Sequence, residues 1–583
     1  MMQRMPYGNR IPGIQFTEES IIPVVNGSDD TITCIIGTAK TGPTDPTIVS
    51  STEDMRLLFD TPLNDDYGIK AANFILPNKV MYVRVLSKGG RAVFKDSAQN
   101  IFIAKEGGEH LKNAQLNIEK ADDKLTFTLS IDGSNLETIV CSSNELDSEY
   151  VFRVFDNYSS YLNLAVSSDY AFTSKILEST GGSKGASPAI GKVMASEEVS
   201  MEVQSIYPCS TLNGVDVHLL NDLNKKPYIK VIKNGVVIEE IPTTVSIESK
   251  DEFIDRVNSS SDYIKIVALK DTTPKKVTLA DGDGGNTSVT DDDFLDAIDK
   301  IADASIYRVD TLIIPGVTSS VVQSKAMNVC QNRGDTLFIA DHPLGLKASL
   351  VRDFVKSRGQ FSTHVSLNSD FVAMFSPWVL VNDGNATYYP PSIVGAKALA
   401  DNDKKHNIWD ACAGVKRGVL NGISGLEYDP SKTDLDILYN DALVNPIVNI
   451  TGKGFLIWGN KTLRMPVYKN APEPLCSLNV RRLVNYLRKA IYDVTLPLVF
   501  EANDKFTWDT MSNLVCPILD KVKNGRGIDA YRFVCDETTN TSENIDSLTL
   551  TAILSIRPTR CAEYINIDLK IYPYTVAFEG EGE

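Results

Sequence analysis

The chain has 583 residues, 43% of them hydrophobic and 23% charged, with a formal net charge of −17. That length exceeds one compact core and points to about three to four domains, while the acidity argues against a surface that holds nucleic-acid phosphates, so no nucleic-acid partner is expected. No window approaches the ~18 uninterrupted apolar residues of a membrane helix, so no membrane insertion is expected, and Met1–Arg10 lacks the apolar run of a secretion signal.

Residues 1–28 read as an arm, punctuated by Gly8, Pro12, Gly13 and Pro23, in which Ile14 and Phe16 alternate as a short strand suited to pairing at a sheet edge. Residues 29–88 hold a β-branched run at Thr31–Gly37 and a capping signature, Ser51–Asp54, before Met55, Leu57, Leu58 and Phe59. A helix at Gly68–Leu76 and a strand at Val80–Leu86 complete this first part of an α/β core. It is too short to close a core alone, so it is expected to pack against the C-terminal stretch.

Two inserted β-rich domains follow, 89–200 and 201–288. The first carries a hairpin at Lys124–Ile131 and Leu136–Cys141 around Asp132-Gly133; the second carries one at Tyr228–Ile232 and Val236–Ile241 around Asn234-Gly235. Gly181, Gly182 and Gly185 mark a flexible connection, and the boundary is placed near Ala195–Pro208. Residues 289–470 alternate helix and strand: helix from Asp291 with Phe294, Leu295, Ile298 and Ile301; strand Thr311–Ile314; helix Ser320–Asn332; strand Thr336–Ala340; helix Leu344–Ser357; strand Phe371–Phe375. That rhythm implies a parallel sheet with helices on both faces.

In the C-terminal domain, 471–560, Val480, Leu483, Val484, Leu487 and Ile491 form the apolar stripe of a helix over Asn479–Tyr492. A second helix spans about Trp508–Asn524, with Thr507 as cap, Gly525 for the left-handed turn at its end and a bend or interruption at Pro517. Leu548–Ile556 alternates as a strand stopped by Pro558. Beyond it, 561–583 is an arm whose Ile565, Ile567, Leu569 and Ile571 need another sheet edge to join.

Chemistry is sparse. Of five histidines only His342, beside Asp341, lies at a strand end of the α/β region, and no Gly-x-Ser-x-Gly accompanies it. An α/β hydrolase in the central domain is the alternative reading, and it lacks a nucleophile with its base. Gly185 to Gly191-Lys192 is one residue too long for a phosphate loop and has Val193 where Ser or Thr is needed. Asp281–Asn286 has the oxygen density of a calcium loop but Asn286 and Asp292 where Gly and Glu belong, so it reads as a tight turn. Nine dispersed cysteines without zinc spacing read as reduced thiols. No cofactor, metal or catalytic residue is expected.

An ordered set of residues resembles the tail sheath proteins of contractile phages and related injection machines. It comprises Pro12-Gly13-Ile14, Asp281–Gly284, Pro315-Gly316, Asp341–Pro343, Gly422–Gly425, Gly452, Trp458–Asn460, Asn479–Arg482, Glu501–Asn503, Trp508, Gly525, Asn540-Thr541, Ile545-Asp546 and Pro558. The resemblance implies a mixed α/β, multi-domain fold: a core from N- and C-terminal segments, a subtilisin-like α/β domain over 289–470, β-rich insertions and extended arms. It further implies a mechanical rather than enzymatic role, as a virion component assembled in the host cytoplasm. The expected partners are copies of the chain in helically stacked hexameric rings, the tail tube protein, and baseplate and tail terminator proteins. Arg481, Arg482, Arg488, Lys489, Lys521, Lys523 and Arg526 then become a candidate basic patch facing the tube.

Overall fold

The computed structural model describes residues 31–563 except for short internal stretches, of which 165–171, 243–248 and 467–472 are the longest. The sequence alternation builds one eight-stranded sheet. Its elements, in chain order, are β1 (Thr33–Gly37), β2 (Thr47–Val49), α1 (Thr52–Phe59), α2 (Tyr67–Ile75), β3 (Val80–Arg84), α3 (Asp291–Asp299), β4 (Thr311–Ile313), α4 (Ser320–Arg333), β5 (Leu337–Ala340), α5 (Ala348–Val355), β6 (Val372–Ser376), α6 (Pro391–Lys405), β7 (Asn445–Ile450) and β8 (Gly454–Ile457). The strand order is β2-β3-β1-β4-β5-β6-β7-β8, parallel from β3 to β7 and closed at each edge by an antiparallel strand.

Both faces of a parallel sheet are covered, and the pleat sorts residues between them. Cys34, Ile36, Met81, Val83, Leu312, Phe338, Val372 and Met374 pack with α3, α4 and α5. Their neighbours Ile35, Val80, Tyr82, Ile313, Leu337, Ile339, Ala373 and Phe375 pack with α1, α2 and α6. Residues 29–88 pack chiefly on the central α/β region, not on the C-terminal stretch as expected: β1 lies between β3 and β4 and extends the sheet formed by residues 311–457, while Thr31 and Ile32 meet the C-terminal stretch through carboxylates that both contact. Buried β-branched strands with no polar face find their partners in the largest parallel sheet available.

The insert between β3 and α3 makes two modules. Strands within 91–181 form a seven-stranded sheet around Phe94, Phe102, Phe127, Phe155 and Phe172. Strands within 190–278 form a three- and a four-stranded sheet around one core. The strand Ile190–Ala195 pairs with Glu198–Ser205, so it belongs with the second module, and the boundary falls before Ile190 rather than near 195–208. The Asn234-Gly235 turn takes φ of 51° and 79°, as a two-residue hairpin turn requires. Buried Arg84, at the carboxyl end of β3, donates to the carbonyls of Ala39 (3.1 Å), Gly42 (2.9 Å) and Pro208 (2.9 Å), tying the second module to the sheet.

Helix α6 crosses the sheet at Gly395, where an added Cβ would stand 2.5 Å from the buried Phe375 ring. Gly395→Ala is expected to lower unfolding stability by about 1–3 kcal/mol, and Phe375→Leu in the same chain to recover part of the loss, measured by denaturant melts. A neutral single substitution would contradict this packing.

Candidate functional site

The C-terminal domain is built from α7 (Leu478–Thr495), α8 (Lys505–Asn524), β9 (Ile528–Val534) and β10 (Ile553–Pro558), around Trp409, Leu483, Leu487, Val515, Leu519 and Val522. Asp504, not Thr507, caps α8: its carboxylate accepts from the Thr507 amide at 3.0 Å. The helix runs unbroken past Pro517. Gly525 has φ −79°, and the left-handed residue is Arg526 at φ 59°. Gly525 is needed for another reason: a Cβ there would meet the Trp409 ring at 2.7 Å, and its carbonyl accepts from Trp409 Nε1 at 2.9 Å.

The strand expected from Leu548 begins at Ile553. Leu548 itself sits at φ 56°, 93% exposed, just past a short helix at Ser542–Asp546, where the Leu548 and Thr549 amides donate to the carbonyls of Ile545 (3.0 Å) and Asn544 (2.9 Å); Asn540 bonds both ways to Thr551 (2.7 and 3.1 Å) and Asn503 holds the Thr549 carbonyl (3.0 Å). Strands β9 and β10 pair antiparallel, and among the described residues neither has a second strand partner. The arm residues Ile14, Phe16, Ile565, Ile567, Leu569 and Ile571 lie outside the described residues.

Helix α7 lies along the amino edge of the parallel sheet. Asp310, Asp335 and Asp370 precede β4, β5 and β6, and Asp403 ends α6. Lys489 binds Asp310 at 2.7 Å and approaches Asp335 at 3.6 Å; Arg481 binds Asp370 at 2.8 Å while its guanidinium stacks 4.1 Å over Phe371; Arg482 binds Asp403. Arg333, buried, grips Asp335 in turn at 2.9 and 3.1 Å. The expected basic patch is thus corrected: Arg481 and Arg482 are each 6% exposed and Lys489 is paired, all three spent inside the chain. Arg488, Lys521, Lys523 and Arg526 remain at the surface. A stripe that looks solvated on a helical wheel is interior because a second domain covers it.

Burial opposes ionisation of Asp310, yet the Lys489 ammonium and the Ile32 amide hold its carboxyl below the ordinary range. Burial wins at Asp403, pushing its carboxyl up although Arg482 and Thr31 partly offset it.

At the opposite, carboxyl edge lie Asp341 and His342. Asp341 accepts from Ser392 Oγ (2.6 Å), the Ser392 amide (2.8 Å) and the Gly316 amide (3.0 Å), joining the ends of β4 and β5 to the start of α6. His342 is fully buried; Nδ1 lies 2.9 Å from the Pro343 carbonyl and Nε2 has no partner among the described residues. The serine hydroxyl donates directly to the carboxylate and the imidazole faces its own chain neighbour, so the base-to-nucleophile bond of a hydrolytic triad is not formed by these three. Among the described residues no group of three or more His, Cys, Asp or Glu could hold a metal ion, and no helix is long and apolar enough to cross a membrane.

Two measurements follow from this geometry. Arg481→Ala leaves Asp370 only its longer contact with Arg464, at 3.4 Å, and is expected to cost about 1–3 kcal/mol of stability, against a change within about 0.5 kcal/mol for Lys523→Ala, both read by chemical denaturation; equal effects would return Arg481 to the surface. The second concerns pH. Burial raises the Asp341 carboxyl to about 6, so its contribution is full below the unfolded value near 4 and is lost as pH rises through 6. Burial lowers His342 to about 4, so its contribution is full above 6.5 and is lost as pH falls through 4. Between pH 4 and 6 the slopes oppose. His342→Gln should leave stability falling with pH there relative to the parent, and Asp341→Asn should leave it rising, each by up to ~1.4 kcal/mol per unit; curves parallel to the parent would refute both assignments.

The chain is similar to known proteins. Residues 471–571 match the family of the phage tail sheath C-terminal domain. The tail sheath protein of Vibrio phage KVP40 is 24% identical over 401 residues, 62% of this chain and 58% of that one. The tail sheath protein of Enterobacteria phage T4 is 26% identical over 371 residues, 58% of this chain and 55% of that one. The chain thus matches somewhat over half the length of these curated relatives. A crystal structure of a sheath tail protein from Desulfitobacterium hafniense aligns with 95% of this chain and 99% of its own, at a TM-score of 0.43 and 9% identity. Arg481, Arg482, Asn503 and Asn540, which help to hold α7 and the chain between β9 and β10 in place, belong to the set on which the sequence resemblance rests, and they lie within the residues that match the phage tail sheath C-terminal domain.

Proposed function

We propose that the chain is the sheath subunit of a contractile tail, a structural part rather than an enzyme. It stacks as hexameric rings around a tail tube, between a baseplate and a terminator, within a virion assembled in the host cytoplasm. The α/β body is read as the subtilisin-like domain of such subunits. The observation that carries the reading is the family match of residues 471–571, set in a chain 24% identical over 401 residues to a tail sheath protein.

Two physical features support it. The two-stranded sheet β9–β10 packs on the helices of its domain and offers edges to which an added strand can bond; the segments around Ile14 and Ile565–Ile571, donated by neighbouring copies, supply the strands. Phe500, 103% exposed, Phe506, 79%, and Leu548 also present apolar surface on this domain, of the kind that associating chains bury. Each added backbone bond contributes only ~1 kcal/mol net, but linked copies make each later contact intramolecular. The extended sheath is then metastable, and contraction gains from burying more surface between subunits, at roughly 25 cal/mol per Å² of apolar area.

Full-length protein is expected to form tubes visible by negative-stain electron microscopy. A chain ended after Pro558 should sediment as a folded monomer that forms none. Intact tubes from the truncated chain would overturn the donated-strand reading.

A further inference from the structure

The first described residues of the N-terminal segment and the first helix of the C-terminal domain hold the same two carboxylates. Asp310 Oδ2 accepts from the Ile32 amide at 2.8 Å, and its Oδ1 accepts from Lys489 Nζ at 2.7 Å. Asp403 Oδ2 accepts from both Thr31 Oγ1, at 3.0 Å, and Arg482 Nη2. Backbone bonds from Asp310 and Thr311 to the Ile32 carbonyl, at 3.0 and 3.3 Å, complete the grip on the segment. Thr31 and Asp403 also line a cavity of about 140 Å³ with Asn78 and Lys404, which leaves room beside that grip.

The four groups come from parts of the chain more than 70 residues apart, and none of the bonds is needed to close a helix or a ladder. A carboxylate that bonds two partners couples them: moving one changes the charge and geometry the other meets, and the effect is reciprocal. An ionised acceptor makes each bond stronger than a neutral one. Lys489 and Arg482 sit seven residues apart, about 10 Å along the helix at ~1.5 Å per residue, so the two contacts hold the segment's root at two points and fix its direction as well as its position.

We propose that Asp310 and Asp403 are positioning residues that lock the root of the N-terminal segment to α7, so that a displacement of either is delivered to the other. In the sheath reading, on which only this consequence rests, a neighbour pulling on the N-terminal arm thereby turns the C-terminal domain of the chain it belongs to.

The test uses the full-length monomer and hydrogen exchange read by mass spectrometry on overlapping peptides. Lys489→Met alters α7 and touches no residue of the N-terminal segment. It should speed exchange at the Ile32 amide about tenfold while Cys34–Ile36, held in the sheet ladder, keep their protection. Lys489→Arg should restore the slow rate, which a mere loss of packing would not predict. In the reverse direction Thr31→Val, nearly isosteric and on the arm side, should speed exchange in the first turns of α7 about threefold. Unchanged exchange at Ile32 in Lys489→Met, or on α7 in Thr31→Val, overturns the coupling. Should Lys489→Met loosen β1 as well, the Thr31→Val result decides. Because the monomer is measured, failure here leaves the sheath reading standing, and failure to form tubes leaves the coupling standing.

Discussion

The structure depends on a row of carboxylates along one edge of its parallel sheet. Strands β4, β5 and β6 are each preceded by an aspartate, and neighbouring strands lie ~4.8 Å apart, so Asp310 and Asp370 are set about 10 Å from each other across the edge. A helix rises ~1.5 Å per residue, so Arg481 and Lys489 are about 12 Å apart along α7. The two spacings agree closely enough for one helix to answer the whole row. Burying such pairs need not stabilise the fold beyond what apolar residues would do, but leaving one member unpaired is expensive. The row therefore works as a registry device: α7 docks in one position and orientation, because any slip strands several charges together.

The two edges of the sheet have opposite tasks. In open α/β sheets the carboxyl edge is where ligands gather, and here Asp341 spends its oxygens on Ser392 and Gly316, tying loops together, while His342 turns to Pro343. The β-rich modules leave from that same edge, with Arg84 pinning one of them through the Pro208 carbonyl. The amino edge carries the C-terminal domain and the entry of β1.

Local features were legible in the sequence, and distant ones were not. Ser51–Asp54 forms the capping box its spacing implies, the Asn234-Gly235 hairpin takes the required positive φ values, and the helix and strand rhythm from Asp291 to Phe375 recurs in the fold, because each depends on residues a few positions apart. The basic face of α7 was misread for the converse reason. Partners of Arg481 and Arg482 lie 111 and 79 residues upstream, and nothing in helical periodicity separates a solvated face from one covered by another domain. The strand expected at Leu548 begins later because the alternation continues through the end of the short helix Ser542–Asp546 and a segment that Asn503 and Asn540 hold with side-chain bonds. Gly525 was assigned to backbone freedom when the close approach of Trp409 is what demands it.

These placements constrain how the chain can move. A parallel sheet packed on both faces is stiff, since interiors pack as densely as organic crystals and transmit strain. The N-terminal segment enters β1 at the same edge on which α7 is seated, so the two ends of the described chain meet at one rigid border while the inserted modules stand at the other. Under the proposed function, rearrangement between neighbouring copies would then occur as rigid-body rotation and sliding at surfaces and linkers, not by deformation of the sheet. In the sheath reading proposed above, a body of that kind would keep its internal ion pairs through the motion, and the energy of a stroke would come from contacts made between copies.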